Sequence, residues 1–181
     1  LVRDGDDGLE ALLVQRNQAV QHMGGMWEFP GGKVDAADYA SDEDAYRAAV
    51  NAAIRETREE AGLDVSAEQL VYLSHWTTPA GAKKRFATWF FLTILEDGQE
   101  VTVDGGEIAH HRWVKPATAL NESADENHPL RLMPPTYVSL AAEDRFAEAQ
   151  AVHRERKPFA LVCGRVCPAF CEQRCHRGDI D

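Results

Sequence analysis

The chain has 181 residues, enough for one domain with a real core and a short appendage. A net charge of −11 argues against a nucleic-acid polymer as partner, which would ask for a basic footprint, but leaves a small phosphorylated substrate open because metal ions bridge acid to phosphate. No apolar run reaches membrane-spanning length, no secretory leader is visible, and the body is cysteine-free, so the composition reads as a cytoplasmic protein with no membrane contact and no disulfide staples. In chain order, residues 1–3 read as the stub of a strand and residues 9–16 as a full strand after the Asp6-Asp7-Gly8 turn. A polar, glycine-bearing loop then runs to Met26, and Trp27, Phe29 and Pro30 lead into the Gly31-Gly32 turn. Ser41 is a suitable N-cap, with Asp42, Glu43 and Asp44 in the first turn of a helix. Ala45, Ala48, Ala49, Ala52 and Ala53 form a small-residue stripe at helical spacing, so that helix packs closely by its alanines. It continues through Arg55, Glu56, Glu59 and Glu60 and stops at Gly62, where a left-handed residue is wanted. Residues 70–77 and 87–95 read as strands, joined by a loop carrying Lys83, Lys84, Arg85 and Phe86. Residues 101–103 and 112–114 read as short strands flanking an irregular loop that holds Glu107. A short helix starts at residues 116–120, a polar loop covers 121–128, and a last helix runs from about 136 to 154.

The chemistry concentrates at Glu56, Glu59 and Glu60, spaced i, i+3 and i+4 and so on one helical face. Two like charges about 5 Å apart repel by roughly 3 kcal/mol at an effective dielectric near 20. Arg55, at i−4 from Glu59, supplies part of the counter-charge, and a hard divalent cation, Mg²⁺ or Mn²⁺, would supply more. A solvated, charge-laced helix end is the plainer account of such a run. Against it stands Phe29-Pro30-Gly31-Gly32-Lys33-Val34-Asp35, a turn whose bare backbone can approach the same cation.

Together the two pieces resemble the Nudix box. Gly32 matches its first glycine, Asp38 stands where its first glutamate belongs, and Arg55, Glu56, Glu59, Glu60, Gly62 and Leu63 match the remainder, with Thr57 at a usually aliphatic position. Besides the Asp for Glu, nine residues more than the family spacing separate Asp38 from Arg55. The resemblance implies an α/β fold, the Nudix α/β/α sandwich with a curved mixed sheet, over a domain of residues 1–157. It implies Mg²⁺-dependent hydrolysis of a diphosphate linkage in a nucleoside-diphosphate-type substrate. Glu56, Glu59, Glu60 and the Gly32 carbonyl would hold the cation, Arg55 would orient the glutamates, and Glu56 or Glu107 would be the base. Arg16, Gly25 and Phe29-Pro30-Gly31-Gly32 partly resemble the added signature of coenzyme A-directed members, but Asn17 replaces a small residue and Gln21 an arginine suited to phosphate. Arg16, Arg85 and Phe86 are the substrate-binding candidates, and a homodimer is admitted. A non-catalytic Nudix-like ligand-binding module is the competing reading; the intact glutamate set opposes it.

Residues 158–181 are a separate matter. Cys163, Cys167, Cys171 and Cys175 recur every fourth residue, and the segment resembles the cluster-binding stretch of glutamate-synthase-like flavin oxidoreductases. Four thiolates suit one [4Fe–4S] cluster, so an iron–sulfur electron-transfer fragment is a further alternative. The flavin and nucleotide domains of that family are absent, which points to a fusion junction or truncated fragment; the plain account is four inert thiols.

Overall fold

A computed structural model describes residues 1–141 except 21, 22, 41–43, 79, 82–84, 96, 97 and 128. The expectations placed on Gln21, Ser41, Lys83, Lys84, the helix beyond Ala141 and all four cysteines lie outside the described residues.

Strand β2 (Gly8–Arg16) organises the first sheet. Its centre, Leu12, Leu13 and Val14, is fully buried, as a continuous apolar run implies for a strand covered on both faces. On one side it pairs antiparallel with β1 (Val2–Gly5) and, further along, with β3 (Trp27–Glu28). On the other it pairs antiparallel with β6 (Ile108–Val114), with an irregularity between Gln15 and Arg16 that sets Arg16 opposite Ile108. Bulges of this kind re-aim side chains at the end of a strand. A second antiparallel pair, β4 (Val71–Thr77) with β5 (Ala87–Leu92), joins the first through a parallel bridge between Val2 and Ile94. The Val2 N–H donates to the Thr93 carbonyl at 2.9 Å and the Leu95 N–H to the Val2 carbonyl at 2.8 Å, which gives the arrangement its mixed, parallel-and-antiparallel character.

Helix α1 (Ala45–Ala61) carries the acidic run. Asp44, expected inside the first turn of a helix capped at Ser41, is instead itself the cap, its carboxylate accepting from the Tyr46 and Arg47 N–H groups, so the helix begins at Ala45. Gly62 ends it at φ 67°, donating its N–H to the Arg58 carbonyl. Ala48, Ala49 and Ala52 are buried, Ala45 is exposed and Ala53 is half-buried, so the alanine stripe packs along part of its length. Near the N-terminus of the helix Tyr46 meets Tyr72 and Phe91 edge-on at 6.2 and 5.8 Å between ring centroids. At the other end Ala61 and Leu63 pack with Leu12, and Leu1, Leu95, Val101 and Trp113 close around them.

Three expectations are corrected. Residues 101–103 join no ladder: Val101 packs on the Leu12 cluster and the Thr102 N–H donates to the Ala61 carbonyl at 2.8 Å, so this stretch closes the helix end instead. Strand β6 begins at Ile108 rather than Arg112, because backbone pairing with β2 carries the polar His110 and His111 into the ladder. Helix α2 (Pro116–Ser123) takes in the first three residues of the expected polar loop, and α3 begins at Pro134 and is described to Ala141. Residues Leu1–Ala141 form one compact unit.

Candidate active site

The turn before α1 is fastened to the helix by two carboxylates. Gly31, at φ +151° where side chains are rarely tolerated, donates its N–H to Glu60 Oε2 at 2.8 Å. Gly32 lies so close to the Glu56 carboxylate that a Cβ there would collide with it. The two glycines thus serve differently: Gly31 takes a conformation that aims its N–H at Glu60, and the bare backbone of Gly32 leaves room for the Glu56 carboxylate.

Arg55 gathers the rest. Its Nε and Nη2 donate to the two oxygens of Asp38 at 3.0 and 2.9 Å, its Nη1 to Glu56 Oε1 and Glu59 Oε2, each at 2.9 Å, and its Nη2 also to the Lys33 carbonyl at 3.0 Å. Asp38 is buried and also accepts the Asp35 N–H at 2.7 Å, while its own carbonyl accepts from Asn51. The Arg55 hydrogen bonds hold the Asp38 carboxyl below its ordinary value, and Asp38, ahead of Glu56 and Glu59, holds Arg55 firmly charged. In this structure the first carboxylate of the motif thus anchors the arginine.

The three glutamates do not share one exposure. Glu60 is buried, Glu56 is largely covered and Glu59 stands 59% exposed on the outer flank. Burial pushes the Glu60 carboxyl up to about 8, with the charges of Glu28, Glu56 and Glu107 adding to the shift against the single Gly31 hydrogen bond. Burial also raises Glu56, against the pull of Arg55. Among the described residues no three acidic, His or Cys side chains converge closely enough to hold a metal ion in this arrangement, because Arg55 spans Glu56 and Glu59 while Glu60 turns in to Gly31. The donor chemistry nonetheless suits a hard divalent cation. Every candidate donor is oxygen, Glu60 Oε1 and the Gly32 carbonyl accept no hydrogen bond among the described residues, and the buried carboxylates exceed their counter-charges.

Glu28, passed over in the sequence as part of the lead-in to the turn, belongs to this cluster. Arg16 lies between Glu28 Oε1 at 2.9 Å and Glu107 Oε1 at 2.8 Å. Burial raises the Glu28 carboxyl, Arg16 opposes it, and the Glu107 charge adds to it. The only sequence signal for Glu28 was its place two residues before Pro30. Arg85 and Phe86 lie at the β5 end of the hairpin, where Arg85 donates to the Thr78 carbonyl at 3.1 Å; no contact among the described residues joins either to the glutamates. Phe86 is 46% exposed.

A family model described as NUDIX domain matches residues 1–134. The chain belongs to the NUDIX family. Among curated proteins, this Nudix chain is 35% identical over 121 residues to "Putative 8-oxo-dGTP diphosphatase 3" of Mycobacterium tuberculosis, covering 66% of the chain and 49% of the relative. The Nudix chain therefore spans about half the length of that relative. Among solved structures, the NUDIX hydrolase from Alicyclobacillus acidocaldarius superposes with a TM-score of 0.64 at 22% identity, over 78% of this chain and 86% of that one, so the fold is the Nudix α/β fold. A second model, described as dihydropyrimidine dehydrogenase domain II, 4Fe-4S cluster, matches residues 117–181 and so overlaps the Nudix match across α2. Over 71 residues, 39% of this chain but 10% of the relative, the chain is 35% identical to the NADPH-Fe(3+) oxidoreductase subunit beta of Geobacter sulfurreducens. No helix among the described residues is long and apolar enough to cross a membrane.

Proposed function

We propose that residues 1–157 form a Mg²⁺- or Mn²⁺-dependent hydrolase that cleaves the diphosphate linkage of a nucleoside-diphosphate-type substrate. The observation that carries this reading is Glu60: a buried carboxylate with one hydrogen bond among the described residues, set against Glu28, Glu56 and Glu107 and pushed up to about 8, is a site that a divalent cation would complete. Glu56, Glu59, Glu60 and the Gly32 carbonyl would hold the cation, which when bound polarises phosphoryl oxygens and lowers the pKa of the attacking water. Arg55, anchored on Asp38, holds the Glu56 and Glu59 carboxylates in place. Glu56 or Glu107 accepts the proton of the attacking water. Arg16 is already engaged by two carboxylates, which favours a role in holding the site over one in gripping substrate phosphate. Arg85 and Phe86 remain the hairpin candidates for substrate contact.

8-oxo-dGTP, from the name of the mycobacterial relative, and coenzyme A, from the partial signature around Arg16, are the two substrate readings. A Mg²⁺-supplemented screen over 8-oxo-dGTP, dinucleotide polyphosphates, nucleotide sugars, ADP-ribose and coenzyme A is expected to yield turnover that EDTA abolishes. It is expected to fall on the order of 100-fold in Glu59→Gln. Turnover insensitive to EDTA, or unchanged in Glu59→Gln with metal still bound, refutes the assignment.

The match over residues 117–181 supports a second activity, capture of a [4Fe–4S] cluster by Cys163, Cys167, Cys171 and Cys175. Protein purified without oxygen should then absorb in the visible with iron and sulfide in equal amount; colourless, iron-free protein from iron-replete cells refutes it.

A further inference from the structure

Glu107 is fixed from two directions. Its carboxylate is bonded to Arg16, beside Glu28. Its backbone is held by Asp104: Oδ2 accepts the Gly106 N–H at 3.0 Å and the Glu107 N–H at 2.8 Å, and Oδ1 accepts the Ile108 N–H at 2.8 Å. The Gly105 N–H donates to the Ile108 carbonyl at 3.0 Å, and the Asn17 N–H to the Glu107 carbonyl at 2.7 Å, which ties the loop to the end of β2. The local sequence is built round that carboxylate. Gly105 takes φ +73°, and a Cβ on Gly106 would stand 2.9 Å from Asp104 Oδ2. Beyond the loop, Ile108 is fully buried at the start of β6, so one end of the turn is rigid and Asp104 sets the shape of the other.

We propose that Asp104 is a positioning residue that acts through Glu107, fixing the backbone from which the Glu107 carboxylate reaches Arg16 and the acidic cluster. The inference rests on the reading of Glu107 as part of a hydrolytic site. A purely structural Asp104 would stabilise the loop without any dependence on Glu107. The two are separated by a double-mutant cycle.

The cycle uses the full chain as Asp104→Ala, Glu107→Gln and the double variant, with Asp104→Asn as the conservative substitution. Its readouts are kcat and KM for the best substrate of the screen above, and Mn²⁺ affinity measured by electron paramagnetic resonance. Asp104→Ala should lower kcat about 30-fold with KM within about 3-fold, the loss expected of a reacting group displaced by a fraction of an ångström. Glu107→Gln should lower kcat about 100-fold, and the double variant should match it within about 3-fold, since nothing is left to misplace. Asp104→Asn keeps one oxygen for the Gly106 and Glu107 N–H groups and should recover to within about 5-fold of the parent. It replaces Asp104→Ala in the cycle if that variant fails to fold by circular dichroism. Equal losses from the Asp104 substitution in the parent and in Glu107→Gln overturn the proposal, as does a Glu107→Gln variant that changes neither readout. If the parent turns over nothing in the screen, the hydrolase reading fails by itself and the Mn²⁺ cycle decides: non-additive losses support the Asp104–Glu107 link, and additive losses overturn it.

Discussion

Asp38→Asn removes one charge and one acceptor from a buried cluster while keeping size and shape. In the parent, Oδ1 accepts Arg55 Nε at 3.0 Å, and Oδ2 accepts Arg55 Nη2 at 2.9 Å and the Asp35 N–H at 2.7 Å. An asparagine turned either way sets its own N–H₂ against at least one of those donors. Hydrogen bonds to charged groups contribute about 1.5–3 kcal/mol each, and Arg55 is 27% exposed, so water recovers part of the loss. The expected destabilisation is about 2–3 kcal/mol, equivalent to roughly 5–10 °C in Tm for a chain of this size. Urea unfolding of parent and variant, followed by circular dichroism, measures it. The pH dependence carries a sign. The Asp38 carboxyl is held below its ordinary 3.8 in the fold, so its contribution is complete above that value and is lost as pH falls through the folded-state value. The gap between parent and variant should stay constant from pH 7 to 5 and shrink below about pH 4. A difference below about 0.5 kcal/mol at pH 7 would mark a water-screened pair and refute the reasoning. So would a gap that does not change at pH 3.

Glu60→Gln should act in opposite directions on stability and turnover. The raised carboxyl favours its neutral form in the fold, so metal-free parent protein should lose stability as pH rises from about 4.5 to about 8. The variant should show a flatter profile in EDTA, and its Mg²⁺-dependent hydrolysis should fall on the order of 100-fold; parallel stability profiles would contradict the buried-charge argument. Gly32→Ala should push the Glu56 carboxylate aside, costing under about 1 kcal/mol in stability because a flexible side chain yields. It should weaken Mn²⁺ binding about 10-fold or more by titration calorimetry, and unchanged affinity would refute a role for that close approach. Deleting all residues after Lys157 should leave hydrolysis within about 3-fold of the parent, since every candidate ligand precedes residue 115. A large loss from a still-folded truncation would overturn the proposed domain division.

Local pattern and local chemistry made the helix, its Gly62 stop and strand β2 legible, because periodicity and the left-handed cap are short-range properties. The pairing of Arg55 with Glu59 followed from helical spacing alone. What escaped depends on distant neighbours. Nothing near Glu28 announces that Arg16 and, through it, Glu107 will reach it, since Arg16 and Glu107 are 91 positions apart. The unequal burial of Glu59 and Glu60 was hidden for a similar reason. Adjacent helical residues point about 100° apart, and only the packing decides which one turns inward. The early start of β6 was masked by His110 and His111, whose polarity says little about backbone pairing when the partner strand is β2.

The two halves of the site differ in how far the chain must loop back to make them. Asp38 and Arg55 are 17 positions apart, whereas Arg16 and Glu107 are 91 apart. Closing the longer loop costs about 1.5 kcal/mol more in chain entropy, and at roughly 5–20 residues per second the ribosome needs several seconds to pass from Glu60 to Glu107. During that interval a nascent chain can carry the arginine-gathered carboxylates but has neither β6 nor its loop glutamate. Hydrolytic competence should therefore appear late in synthesis, as a step. Ribosome-stalled chains ending before β6 should be inactive, those with β6 exposed should be active, and equal activity in both would show that the long-range half of the site is dispensable.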